Sequence, residues 1–102
     1  DGNPYLAAAA TLGAAALGIE EKIEPIAAVV GNAYEQEDVM GSEGRFSPTL
    51  RDAATRMGKS NAARVVFGDA FVEHFVGTRI WEAQESERFV NDWQLNRYLE
   101  II

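Results

Sequence analysis

Few residues of this chain have types and spacings that could do chemistry. His74 is the single histidine, it sits beside Glu73 and Phe75, and the chain has no cysteine. A catalytic histidine needs an orienting acid and a nucleophile, and a metal histidine needs further ligands at coordination spacing. We read His74 as a surface or half-buried helix residue. Glu20, Glu21 and Glu24 form one acidic group and Glu35, Glu37 and Asp38 a second. Glu20 and Glu24, four apart, share a helix face, but two carboxylates are too few oxygens to close a magnesium or calcium shell. Lys22 reads as the neutralising partner at the end of that helix, and the second acidic group reads as a solvated loop. Gly13 and Gly18 follow no strand and precede no phosphate-positioned lysine, so they indicate close helix packing rather than phosphate binding. Tyr34 stands out as an aromatic in a polar stretch: an anchor packing back onto the fold, a contact to a partner subunit, or a modification target.

The elements that hold these residues begin with a stretch that has no charge from Asn3 to Ile19. Asn3 is a good N-cap and Pro4 fits the first helical position, where its missing N–H costs nothing. Alanine and leucine follow, and Pro25 is expected to stop the helix just after Glu24. A helix apolar on every side needs cover on every side, so we expect 3–25 to be a buried helix. The remaining residues look too few and too polar to wrap it.

Ile26-Ala27-Ala28-Val29-Val30 reads equally as a strand or a helical turn. The region 26–48 is expected to be loop, with little periodicity and three glycines between Gly31 and Ser47. The tail 49–102 is expected to be helical. Thr49 and Asp52 have the form of a capping box for a short helix to Met57, closed by Gly58, with Leu50, Ala53, Ala54 and Met57 inward. Ser60 caps a helix over 61–67 that Gly68 terminates. Asp69 caps a long helix, roughly 70–88, whose inner face is Phe71, Val72, Phe75, Val76, Ile80 and Ala83. Asp92 caps a terminal helix with Trp93, Leu95, Tyr98, Leu99 and Ile102 as apolar anchors. The whole is an all-α piece of four to five helices with one long loop.

Length and charge narrow the function. One hundred and two residues allow one domain, and the abrupt opening Asp1-Gly2-Asn3 favours a cut inside a longer protein, hence a single partial domain over 1–102. Of the net charge of −7, residues 1–44 carry eight acids against Lys22 alone, while 45–102 balance eight acids with eight bases. The acidic half argues against nucleic acid. The uncharged run is alanine-rich and lacks a basic flank, which favours a soluble helix over a membrane span. Nothing marks secretion, so the cytoplasm is the expected location.

Asn3-Pro4-Tyr5-Leu6, Gly18-Ile19-Glu20 and Lys22-Ile23-Glu24-Pro25 resemble the glutamine synthetase family just beyond its last catalytic strand. Leu50-Arg51-Asp52-Ala53, Gly68-Asp69-Ala70-Phe71-Val72 and Asp92-Trp93 with Arg97-Tyr98-Leu99 are similar to its C-terminal region. The structural residues of the resemblance are Asn3, Pro4, Tyr5, Leu6, Pro25, Trp93 and Tyr98. Gly31-Asn32-Ala33-Tyr34 is more similar to members that join glutamate to polyamines or other amines. The resemblance implies a parent enzyme in which ATP activates the γ-carboxylate of glutamate as a γ-glutamyl phosphate that ammonia or an amine then displaces. It implies magnesium or manganese on the nucleotide phosphates, and large rings with active sites between neighbouring subunits. The family's metal-binding glutamate and its phosphate- and substrate-binding arginines precede the Asn-Pro-Tyr-Leu element. No catalytic, cofactor-binding or metal residue therefore carries over, and the piece alone is expected to be inactive. Tyr34 falls near a tyrosine adenylylated in bacterial relatives, though Glu35-Gln36-Glu37-Asp38 replaces the usual acidic-proline context. The competing expectation is an independent helical interaction or regulatory module. A small metal- or nucleotide-binding protein has almost no residue-level support.

Overall fold

In the computed structural model, which describes residues 2–32, 34 and 45–99, five helices follow one another without a strand among the described residues. They are α1 (Pro4–Glu20), α2 (Leu50–Lys59), α3 (Asn61–Phe67), α4 (Asp69–Glu87) and α5 (Asp92–Leu99). The chain is all-α, as its periodicities require. The Glu35, Glu37 and Asp38 group, Ala33, the rest of the expected loop up to Gly44, and Ile102 lie outside the described residues.

α1 starts as its first residues dictate. The Asn3 side chain accepts hydrogen bonds from the backbone N–H groups of Tyr5 (3.0 Å) and Leu6 (3.3 Å), and Pro4 takes the first helical position. Its end differs from expectation. The helix stops at Glu20, not Glu24, because Lys22 turns into the left-handed region at φ 53°. The Lys22 N–H then donates to Ile19 O (3.2 Å) and the Ile23 N–H to Gly18 O (2.9 Å). Those two bonds are the Schellman pattern, here with lysine where glycine is usual. Pro25 explains the early stop: it offers no N–H to the Glu21 carbonyl, its ring would strike that carbonyl, and it disfavours a helical Glu24. Glu24 consequently does not share a helix face with Glu20. The run 26–30 has no regular structure.

The body of the fold is an antiparallel pair, α2 on α4. Arg51 near the start of α2 donates two hydrogen bonds to Glu87 at the end of α4 (3.0 and 2.6 Å), while Gly58 lies against Val76. Ala54, Val72 and Ala83 are buried between the helices, and Val72 is fully so. Phe71, Phe75, Val76 and Ile80 lie half-buried along the same side of α4, the face its spacing marks as inward. Leu50 and Ala53 stay exposed instead. Phe67, Phe71 and Phe75 stack in series at centroid distances of 5.3 and 5.5 Å.

Capping is partly redistributed. Thr49 caps α2: its hydroxyl accepts from the Asp52 N–H (3.1 Å) and donates to the Asp52 carboxylate (2.8 Å). Ser60 caps α3 through the Ala63 N–H (3.1 Å). Gly58 does not close α2, which runs on to Lys59 until Ser60 becomes extended. Asp69 does not cap α4; Gly68, at φ 82°, occupies that position, and Asp69 sits one residue later, paired with Arg64 (2.7 Å). Nor does Asp92 cap α5. Asn91 accepts from the Gln94 N–H (2.9 Å) and Gln94 accepts from the Asn91 N–H (3.1 Å), a complete capping box one residue upstream.

The chain covers itself poorly. Its radius of gyration is 18.1 Å, against about 13 Å for a compact domain of this length. Its accessible surface is 8866 Å², where a compact folded chain of this mass would expose about 5,700 Å².

The left-handed Lys22 predicts a stabilising substitution. Lys22→Gly should raise unfolding free energy by about 1 kcal/mol, since a left-handed non-glycine residue costs about 1–2 kcal/mol and the lost terminal charge takes back a fraction. Chemical denaturation followed by far-ultraviolet circular dichroism measures it, and a destabilised variant would contradict the strain argument.

Candidate functional site

α1 is uncharged until Glu20, and none of its residues is buried. The expectation of a buried helix over 3–25 is therefore not met within this chain. One line of α1, through Leu6, Gly13 and Leu17, is half-buried, and the helix packs on α3 there. A line about a third of a turn round the helix carries Tyr5 (85% exposed), Leu12 (71%) and Ile19 (79%). Residues seven apart in a helix drift by only about 20°, so these three form one stripe, with exposed alanines such as Ala9 and Ala16 between them. Ile23, Ile26 and Val30 extend exposed apolar surface beyond the helix end. A stripe of this kind on a well-capped helix is the mark of an interaction surface.

Two further apolar features accompany it. Leu6, Ala7 and Ala10 of α1 face Met57, Ala63, Phe67, Phe71 and Phe75 across a groove of about 390 Å³. At the other end of the chain Phe89, Val90, Trp93, Leu95, Tyr98 and Leu99 are all exposed. The α5 residues expected as anchors, Trp93, Leu95, Tyr98 and Leu99, are thus not buried among the described residues.

Several polar residues tie the helices together. Arg64 reaches the Gly58 carbonyl (3.0 Å), Asp69 (2.7 Å) and Glu73 (3.6 Å), tying α2, α3 and α4 together. Arg79 pairs with Glu82 (2.9 Å) and lies over the Phe75 ring at 5.4 Å. The hydrogen bonds from Arg51 hold the Glu87 carboxylate below its ordinary value of 4.5, and Glu87 in turn raises the guanidinium of Arg51. His74 is exposed on α4 beside Glu73, Gly77, Thr78 and Trp81. Among the described residues no group of three or more histidine, cysteine, aspartate or glutamate side chains could hold a metal ion. These residues do not fit the divalent cations that the resemblance implies. No helix among them is long and apolar enough to cross a membrane.

Tyr34 is 86% exposed, its backbone N–H donating to the Asn32 side chain (3.1 Å). It is not the inward anchor that was one reading of it. The exposed stripe Tyr5–Leu12–Ile19 escaped a reading based on composition, although its seven-residue spacing was present in the sequence.

Comparison with known proteins gives the family of this helical chain, with its capped ends, ion-paired hairpin and uncovered apolar face. Residues 1–98 match the family model described as glutamine synthetase, catalytic domain, and the chain belongs to the glutamine synthetase family. It is 41% identical to the glutamate–isopropylamine ligase of a Pseudomonas species over all of this chain and 22% of that protein. It is 37% identical to type-1 glutamine synthetase 2 of Dictyostelium discoideum, over 100% of this chain and 20% of the relative. The gamma-glutamylethanolamide synthetase of Streptomyces coelicolor is 35% identical over 98% of this chain and 21% of its own length. The chain thus spans about a fifth of the curated relatives it matches. No solved structure matches the chain significantly.

The Arg51–Glu87 pair predicts an acid response. A carboxylate whose folded value is depressed stabilises the fold above its unfolded value, and the contribution disappears as pH falls through the folded one. Glu87→Gln should therefore be slightly less stable than the parent at pH 7, and the difference should vanish on acidification below about 4.5. Thermal melts of both proteins from pH 7 downward give the comparison; a gap that does not shrink as pH falls below the ordinary value of 4.5 would count against the pairing.

Proposed function

We propose that this chain is a structural and oligomer-forming segment of an ATP-dependent ligase that joins the γ-carboxylate of glutamate to an amine through γ-glutamyl phosphate. The observation that carries this reading is the uncovered Tyr5–Leu12–Ile19 face, in a chain belonging to a family of such ligases. The remainder of the catalytic domain covers that face, and α1 in return holds neighbouring catalytic groups in place. ATP and magnesium or manganese are held by residues other than those described. The exposed α5 side chains, with Trp93 and Tyr98, contribute to contacts in a large homo-oligomeric ring, and the enzyme works in the cytoplasm.

An alkylamine or amino alcohol is the favoured acceptor over ammonia. Two of the similar proteins carry isopropylamine or ethanolamide in their names, and the Gly31-Asn32-Ala33-Tyr34 stretch points the same way. Tyr34, exposed on the surface, is the candidate for regulatory modification or a subunit contact. An independent interaction module finds less support, because a self-sufficient domain would bury more of its own apolar surface.

The direct test uses the full-length protein that contains this segment, supplied with glutamate, ATP, magnesium and isopropylamine, ethanolamine or ammonia in turn. Amine-dependent phosphate release, faster with the organic amines, is expected. Absence of release with every acceptor would sink the ligase reading.

The cover on α1 is tested by Ala16→Leu. In the 102-residue chain Ala16 is exposed, and the change should alter stability by no more than about 0.5 kcal/mol. In the full-length protein the added bulk should overpack the contact at about 1–3 kcal/mol, with activity falling further than the fold. Equal small effects in both proteins would mean that nothing covers this face.

A further inference from the structure

α1 meets the rest of the chain most tightly at one point. A Cβ placed on Gly13 would lie 2.3 Å from Val66 Cγ1, 3.0 Å from Cγ2 and 3.3 Å from Cβ. Valine is stiff about χ1 in a helix, so its methyl groups cannot swing clear. Only glycine fits at 13 with α1 in this position. Toward the start of α1 the helices part, and Leu6, Ala7 and Ala10 face the apolar groove instead of a packed neighbour.

Val66 is itself held firmly. It lies on α3, which is only one to two turns long and sits between α2 and α4. Arg64, two residues before it, donates to the Gly58 carbonyl of α2 and to Asp69 of α4, with Glu73 within 3.6 Å. The guanidinium therefore spans all three helices of the body, and its planar fork suits that task better than a lysine would.

We propose that the Gly13–Val66 contact is the seat that sets the position of α1, and that Arg64 is the positioning residue that holds this seat. The inference rests on the reading of α1 as a support for neighbouring catalytic groups. A displaced α1 moves what it supports without removing any group that binds substrate. Such misplacement acts on the transition state more than on substrate affinity.

The experiment uses the full-length protein with Gly13→Ala, Val66→Ala, the double variant Gly13→Ala/Val66→Ala, and Arg64→Ala and Arg64→Lys. Gly13→Ala should lower kcat about tenfold or more, with KM for ATP and glutamate within about twofold. Removing the Val66 methyl groups leaves only its Cβ, 3.3 Å from the new methyl. The double variant should therefore recover most of the lost kcat. Arg64→Ala should lower kcat in the same way, and Arg64→Lys should recover part of it. A double variant no better than Gly13→Ala, or a Gly13→Ala protein that behaves as wild type, overturns the seat. If Gly13→Ala does not fold, recovery of folding in the double variant supports the seat and its failure to recover overturns it. Should the wild type be inactive with every amine, the ligase reading falls alone. The seat is then judged by melting temperature, where the same loss and recovery are expected.

Discussion

The structure depends on a shortage of cover. α1 has no charged residue before Glu20, so solvent suits no side of it, yet the helix that packs most on it among the described residues is a short one. Alanine explains how such a helix forms regardless. It has the highest helix propensity and buries almost nothing, so α1 is locally favourable without a packed face. A cap at Asn3 and the turn at Lys22 close its ends. What the helix lacks is a second surface to rest on, and the excess accessible area of the chain follows from that.

The rest of the fold is arranged to present one firm platform to this helix. α2 and α4 form a hairpin in which Ala54 and Ala83 are buried and Gly58 lies against Val76. Arg51 pairs with Glu87 at one end, and at the other Arg64 of α3 bridges the Gly58 carbonyl of α2 and Asp69 of α4. Exposed pairs of this kind add little energy, but here they fix which residues meet, and so where α3 stands. Position rather than chemistry is the common theme of the polar residues.

Local signals were legible wherever one residue had no rival for its role. Asn3, Thr49 and Ser60 cap the helices they precede, and the apolar spacing of α4 gives its inner face correctly. The errors came from adjacent residues competing for the same role. Asp69 and Asp92 are both good caps, but Gly68 accepts the positive φ that joins α3 to α4, and Asn91 finds a reciprocal partner in Gln94. Pro25 was the visible helix breaker, but its effect reaches back several residues, and Lys22 makes the turn. The family was legible too, because the motifs around Asn3-Pro4-Tyr5-Leu6 and Asp92-Trp93 hold their order across the chain.

The sequence by itself determined that the chain is helical, that its first helix is apolar all round, and that it belongs with the glutamine synthetases. Those properties are written in propensity, periodicity and local motif, each read within a few turns of chain. Only the tertiary structure decided which side of α1 is met and which is left bare. It also decided that Gly13 rather than Gly18 makes the close contact, and that the α5 aromatic residues stay largely exposed. Both glycines sit in the same uncharged helix, and nothing local separates them. The difference is Val66, fifty-three positions further along the chain, and a contact at that separation exists only once the helices between have folded.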